Sequence, residues 1–184
     1  MKVPLRYQMT EKDSGKTTLL NTISYLFDRE ILDNSLIKSI YKHTISENNI
    51  LVSQETICDF AKNILDKKKY NLELYKLDKE EVNIKTIKEY MKDDNTIMII
   101  HVTLFGKSHY CLATSIDPNY IYLFDPYYLD ETYFDNYRMI ELVYDNPFSF
   151  NRKVNIKRFN SMSMSDYSLG PVEHRECLII KKLD

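Results

Sequence analysis

The second half of the chain is divided into β-branched and aromatic runs that are joined by very short links. The links at 105–108 and 117–119 separate three such runs. A parallel crossover needs a dozen or more residues, so consecutive strands here must form antiparallel hairpins. We therefore predict a sheet with strands at Thr96–Leu104, His109–Ile116, Tyr120–Phe124, Met139–Tyr144, Val154–Phe159 and Cys177–Ile180.

The first half of the chain has helical spacing instead. Its apolar residues at 19, 20, 23, 26 and 27 fall on one face of a helix that spans 14–29 and begins near Ser14. Similar faces predict helices at 36–41, 57–65 and 84–91, with a strand-like segment at 70–77. The predicted fold class is α+β, as a single domain over 1–184 whose helical part (about 14–92) packs on an antiparallel sheet (about 96–184).

Composition excludes several classes of protein. The 184 residues are 43% hydrophobic and include 3 Gly and 5 Pro, which excludes collagen-like and disordered chains. A net charge of −2 without a basic cluster argues against a nucleic-acid partner. The longest apolar stretch, 97–105, is far shorter than the roughly 20 residues that span a membrane. With no secretory signal, we expect a cytoplasmic protein that has no membrane partner.

Cysteine spacing predicts neither a disulfide framework nor a metal site. Cys58, Cys111 and Cys177 are odd in number and lack the spacing of zinc ligands. We accordingly expect no metal and no cofactor. Cys111 is interpreted as a core residue, and no role is assigned to His43, His101 or His174. The tyrosines that follow residue 126 are interpreted as surface and core aromatics, with a substrate groove as the alternative: Tyr127, Tyr128, Tyr133 and Tyr137.

The segment 10–18 resembles a phosphate-binding Walker A loop, and the run that ends at Asp125 resembles a Walker B strand. Three features argue against nucleotide binding. Thr10 occupies the position of the first glycine, no strongly apolar strand precedes the loop, and the Asp125 strand belongs to a hairpin.

A second interpretation uses Gln8, Ser14, His109 and Asp125 together. Gln8 precedes Ser14 by six residues, and Ser14 opens an amphipathic helix whose positive end favours a thiolate or an oxyanion. The Gln8 amide and the backbone N–H of position 14 could stabilise that oxyanion. Hairpin pairing would bring Asp125 to the His109 ring, where its carboxylate would fix the tautomer.

These residues resemble the fingerprint of the papain-like cysteine peptidases, and in particular of the double-glycine peptidases that process bacteriocin leaders. That fingerprint is similar to Q-x(4)-D-C-G opening a helix, H-Y starting a strand and D-P ending the next. The chain departs from it at the nucleophile, where Ser14 stands in place of cysteine. It matches at Gln8, Asp13, Gly15, His109, Tyr110, Asp125 and Pro126.

The resemblance implies a papain-like fold and acyl transfer through a covalent intermediate at position 14. His109 would be the acid and base, Asp125 its orienting carboxylate, and Gln8 an oxyanion donor. A serine at position 14 should be nearly inactive, so we interpret Ser14 as an inactivating replacement of a cysteine, with a natural pseudoenzyme as the alternative.

The substrate implied by the resemblance is a peptide that is hydrolysed after small residues. An alternative is a carrier-protein-bound acyl group that is transferred to an amine, as in the standalone amide synthetase of closthioamide biosynthesis. A further alternative is a domain that binds such a partner without chemistry. The sequence does not predict the oligomeric state.

Overall fold

The computed structural model describes residues 2–11, 13–27, 34–45, 61–62, 65, 70–130, 133–134 and 138–183. The predicted helix at 57–65 lies largely outside these ranges. The helices are α1 (Ser14–Leu26), α2 (Asn34–Ile45), α3 (Ile84–Tyr90) and α4 (Ile156–Phe159). The strands are β1 (Leu72–Lys76), β2 (Thr96–Leu104), β3 (Lys107–Ile116), β4 (Tyr120–Phe124), β5 (Ile140–Leu142), β6 (Arg152–Asn155) and β7 (Cys177–Lys182).

The seven strands form a single sheet in the order β1-β7-β2-β3-β4-β6-β5. Every neighbouring pair is antiparallel, which confirms the α+β class and the β2–β3 and β3–β4 hairpins. The last strand, β7, lies between β1 and β2. The first and the last of the described strands therefore pair with each other. None of the described helices is long and apolar enough to cross a membrane.

Apolar side chains are buried on both faces of the sheet. On one face, Leu19, Leu20 and Ile23 of α1 pack with residues such as Ile99 and Leu112 from β2 and β3. All five are at most 2% exposed, so the predicted apolar face of α1 is confirmed as the one that meets the sheet. The other face is covered by α3, α4 and the loops that follow β4 and α4.

The predicted strand Val154–Phe159 is wrong from Ile156 onward. The chain leaves β6 at Asn155 and makes one helical turn, α4. The Asn155 side chain caps that turn by accepting a hydrogen bond from Lys157 N at 2.9 Å. A side-chain cap offers the backbone an alternative to the sheet, and the apolar pattern alone did not reveal it. The predicted strand Met139–Tyr144 is shorter in the structure and covers only β5.

The turn between β2 and β3 is a two-residue hairpin in which both residues have positive φ. Leu104 pairs with Lys107, and φ is +52° at Phe105 and +70° at Gly106. This geometry matches the twist of the flanking strands and favours glycine or asparagine, because a side chain in the left-handed region meets its own backbone. A Cβ added at Gly106 would meet no heavy atom within 4 Å, so its cost would be conformational alone.

We predict that Gly106→Ala lowers the free energy of unfolding by about 1 kcal/mol, because alanine is strained at this φ. Gly106→Asn is the matched control and should lose less, since asparagine tolerates the left-handed region. Chemical denaturation of both variants measures the difference. Equal stability of the alanine variant and the parent would contradict the assigned turn.

Candidate active site

The β3–β4 hairpin brings His109 and Asp125 together. Leu112 pairs with Phe124, so Asp125 follows β4 beside the start of β3. His109 Nε2 lies 2.7 Å from Asp125 Oδ1, which confirms the predicted hydrogen bond. A carboxylate can only accept, so Nε2 carries the hydrogen and Nδ1 is the nitrogen left for another partner. Both side chains are buried, with His109 5% and Asp125 0% exposed.

Several donors surround the Asp125 carboxylate. Oδ1 also accepts from the Tyr127 backbone N–H at 2.7 Å, and Oδ2 accepts from the Tyr167 hydroxyl at 2.5 Å. Arg152 Nε lies 3.8 Å from Oδ2. Burial alone would raise the pKa of Asp125, but the charge and hydrogen bond of His109, the Arg152 charge and the Tyr167 hydrogen bond outweigh it and hold that pKa below its ordinary value. Asp125 is therefore an anion at neutral pH.

The backbone of Asp125 is held by the buried side chain of Asn151. Asp125 N donates to Asn151 Oδ1, and Asn151 Nδ2 donates to the Asp125 carbonyl, both at 2.7 Å. The sequence analysis did not identify Asn151, Arg152 or Tyr167. No local motif marks them, and Asn151 lies 26 residues after Asp125.

Ser14 is the first residue of α1, after the N-cap Asp13, and is 8% exposed. The first backbone N–H groups of a helix have no acceptor within it, so the Ser14 N–H suits an oxyanion. One turn later, Thr18 Oγ1 donates to the Tyr110 carbonyl at 3.1 Å. Because Ser14 and Thr18 share a helix face, this bond packs the start of α1 against β3, the strand that carries His109.

Gln8 is attached to the same region by its backbone and its side chain. Its N–H donates to the Pro126 carbonyl at 2.7 Å, next to Asp125. One hydrogen of its amide Nε2 is donated to Thr10 O at 2.8 Å, which leaves the second for another acceptor. Its Oε1 is buried and accepts no hydrogen bond from the described part of the chain. A role of Gln8 in an oxyanion hole stays a prediction.

The segment that carries Gln8 is clamped to α1 by a buried asparagine. Arg6 N donates to Asn21 Oδ1 at 2.8 Å, and Asn21 Nδ2 donates to Arg6 O at 2.9 Å. Asn21 lies on α1, two turns after Ser14. The clamp therefore fixes the spacing between the Gln8 segment and the start of the helix.

The Walker interpretation does not fit this geometry. Lys16 Nζ lies 3.6 Å from Asp13 Oδ1, within its own helical turn. Asp125 is turned to His109 and has no solvent exposure. The two residues that would hold a phosphate and its magnesium ion are thus engaged elsewhere.

Cys111 approaches the His109–Asp125 pair, and potential ligand atoms of the three residues lie within 4.8 Å of one another. They are a poor set for a metal ion. Burial raises the pKa of the Cys111 thiol well above its ordinary value, which disfavours the thiolate that a metal needs. The Asp125 oxygens already accept several hydrogen bonds, and the Arg152 cation lies beside them. The absence of a metal stays a prediction.

A rival serine–histidine contact lies at the neighbouring β2–β3 hairpin. Ser108 Oγ is 2.6 Å from His101 Nε2. Burial lowers the pKa of His101 to about 4, and its buried Nδ1 has no hydrogen-bond partner in the described part of the chain. A histidine this reluctant to take a proton, whose ring meets no carboxylate among the described residues, is a weak general base. The His109 site is therefore the stronger candidate.

We predict that buried His101 makes the fold sensitive to mild acid. The unfolded chain binds a proton below the ordinary pKa of 6.5, whereas folded His101 does so only near pH 4. Its contribution to stability is therefore full above pH 6.5 and falls as the pH drops towards 4, by about 3 kcal/mol. Denaturant titrations at several pH values measure this slope. His101→Gln should flatten it, and an unchanged slope in that variant would contradict the assignment.

No protein-family model matches the sequence, and no curated protein matches it. Among solved structures, the fold is similar to the crystal structure of the peptidase domain of Streptococcus ComA, a bifunctional ABC transporter involved in a quorum-sensing pathway. The similarity covers 98% of this chain and 98% of that chain, with 14% sequence identity and a TM-score of 0.42.

Proposed function

We propose that the chain is a single-domain, papain-like acyl-transfer enzyme that forms its covalent intermediate at position 14. One observation carries the proposal. The buried His109–Asp125 pair lies on the hairpin whose first strand, β3, accepts a hydrogen bond from Thr18, one helical turn after Ser14. This gives a nucleophile position, a base and its orienting carboxylate, in the order that the spacing of Gln8, Ser14, His109 and Asp125 predicts.

In the proposed reaction, the side chain of position 14 attacks a carbonyl carbon and gives its proton to His109 Nδ1. The Ser14 N–H and the second Gln8 amide hydrogen bind the oxyanion. His109 then protonates the departing amine, and the acyl C–N bond breaks. A water molecule attacks the acyl-enzyme and gives one proton to His109; the bond from the acyl carbon to position 14 then breaks, the carboxylic acid leaves, and His109 returns that proton to the side chain of position 14. Asp125 accepts the hydrogen bond from His109 Nε2–H throughout, in both the neutral and the protonated form of the ring.

A peptide is the substrate that the surroundings of His109 suit best. The Tyr127 ring lies edge-on to the His109 ring, at 6.4 Å between centroids. Phe105 contacts both Tyr127 and Tyr133, and Phe105 and Tyr133 are 39% and 50% exposed. These rings offer apolar surface beside the base, as a peptide-binding groove requires. Cleavage after a Gly-Gly pair follows from the sequence resemblance alone.

Cysteine is the nucleophile that this arrangement favours. A hydroxyl is a much weaker nucleophile than a thiolate, and the positive end of α1 stabilises a thiolate. The chain with Ser14 should therefore turn over far more slowly than its Ser14→Cys variant.

We predict that the thiol of Ser14→Cys is alkylated by iodoacetamide faster at pH 6 than an ordinary exposed thiol. The matched control is Ser39→Cys, on the exposed side of α2. The native cysteines are a second control. Cys111 and Cys177 are buried and should react slowly, and the alkylation rate of Cys58 is compared directly with that of position 14. Peptide mapping by mass spectrometry gives the rates. Labelling at position 14 no faster than at position 39 would contradict an activated nucleophile.

A second experiment identifies the acceptor of the acyl group, which is either water or an amine. Incubating Ser14→Cys with a Gly-Gly leader peptide or an acyl thioester, followed by intact-mass detection, shows whether an acyl-enzyme forms. Hydrolysis of the peptide supports the peptidase, whereas amide formation with added diamines would favour the acyltransferase. Binding without any acyl-enzyme would favour a peptide-binding domain.

We predict that Asp125→Asn in the Ser14→Cys background lowers kcat on the order of 10²- to 10⁴-fold, because the amide no longer enforces the Nε2–H tautomer. The matched control is Asp145→Asn, which changes an exposed carboxylate and should leave kcat unaltered. Steady-state kinetics measure kcat of both variants, with whichever of the two substrates forms the acyl-enzyme. A loss of less than about 10-fold would contradict the orienting role.

A further inference from the structure

Two buried residues beside Asp125 take no part in the proposed reaction steps. Arg152 is 1% exposed and Tyr167 has no exposure. Burying a guanidinium is costly unless its charge is paired and its N–H groups are satisfied. Their place next to a buried carboxylate therefore calls for a physical explanation.

The Arg152 guanidinium is fixed by neutral acceptors. It donates from Nη1 to the Asn151 carbonyl at 2.9 Å, from Nη2 to the Tyr127 carbonyl at 2.7 Å and from Nε to the Tyr167 hydroxyl at 2.8 Å. Its Nε lies 3.8 Å from Asp125 Oδ2, beyond hydrogen-bond length. The cation neutralises the buried anion without bonding to it.

The Tyr167 hydroxyl stands between the two charges. It accepts from Arg152 Nε and donates to Asp125 Oδ2. The Tyr167 backbone has φ +56°, which is rare for a bulky residue, and its N–H donates to the Thr103 carbonyl at 2.8 Å. Residues kept in this unfavourable region cluster at functional sites.

Without the hydroxyl, a direct contact would compete for the carboxylate. Arginine and carboxylate form strong, often bidentate, pairs when they meet. Such a pair would turn Asp125 towards Arg152 and draw Oδ1 away from His109 Nε2. The intervening phenol leaves Oδ1 with His109 while the cation stays close enough to favour the anion.

We propose that Tyr167 and Arg152 are positioning residues for the Asp125–His109 pair: the Tyr167 hydroxyl holds the Arg152 cation near the buried carboxylate but out of direct contact with it, which keeps the carboxylate turned towards His109. The effect on catalysis rests on the proposed function. The effect on the His109 ring does not, because the ring can be observed without a substrate.

The test is ¹⁵N NMR of the histidine rings, whose chemical shifts distinguish the two neutral tautomers. The chain has four histidines, and His109→Gln identifies the signals of His109. We expect nearly pure Nε2–H tautomer in the parent and a substantial Nδ1–H fraction in Tyr167→Phe. Tyr110→Phe is the matched control, because it also removes a buried hydroxyl that donates to a carboxylate, Glu176 Oε2 at 2.8 Å.

A double variant separates positioning from simple packing. If Tyr167 holds Arg152 away from Asp125, then Tyr167→Phe with Arg152→Met should recover the Nε2–H tautomer, although it is less stable. If Tyr167 only filled space, the double variant should show at least as large an Nδ1–H fraction of His109 as Tyr167→Phe. An unchanged tautomer in Tyr167→Phe, or no recovery in the double variant, would overturn the proposal.

A crystal structure of Tyr167→Phe gives a second measurement if the double variant does not fold. It should show the Arg152 guanidinium within hydrogen-bond distance of the Asp125 carboxylate. If these two groups kept their present separation, the proposal would again be overturned. In the Ser14→Cys background, Tyr167→Phe should lower kcat more than it raises KM. If this variant lost the Nε2–H tautomer but kept a normal kcat, the result would count against the catalytic role of His109. The positioning of the His109 ring by Tyr167 would still stand.

Discussion

The burial of one carboxylate organises the candidate site. Moving an isolated carboxylate out of water costs many kcal/mol, so Asp125 can remain ionised with no solvent exposure only if the fold supplies its partners. Those partners come from β3, from β6, from the backbone directly after β4 and from the loop that follows α4: His109, Arg152, Tyr127 and Tyr167. The charge thus links segments that are distant in the sequence.

The sheet order makes this assembly possible. Because β6 pairs with β4, the start of β6 places Asn151 and Arg152 beside the end of β4. The loop that carries Tyr167 lies against β2, where the Thr103 carbonyl holds its backbone. The third of the chain beyond Asp125, for which the motif offers no account, therefore supplies much of the environment of that residue.

Helix α1 connects the hydrophobic core to the candidate site. Its apolar face buries Leu19, Leu20 and Ile23 against the sheet, which fixes its axis, and the Thr18–Tyr110 bond ties it to β3 one turn after Ser14. The N–H groups of its first turn have no acceptor within the helix, so they and the positive end of the helix dipole lie at position 14. The packing that builds the core thus also places Ser14, the proposed nucleophile position.

Local patterns in the sequence were sufficient to predict the antiparallel strands, the helix that begins at Ser14 and the meeting of His109 with Asp125. Hairpin links and helical spacing are short-range constraints, so their consequences can be worked out from neighbouring residues. They misassigned α4, where one Asn155 side chain changed the outcome. Only the tertiary structure decided that β7 lies between β1 and β2 and that Arg152 and Tyr167 surround the carboxylate. These are long-range pairings chosen by the need to bury apolar faces and to satisfy a buried charge, and no local pattern encodes that need.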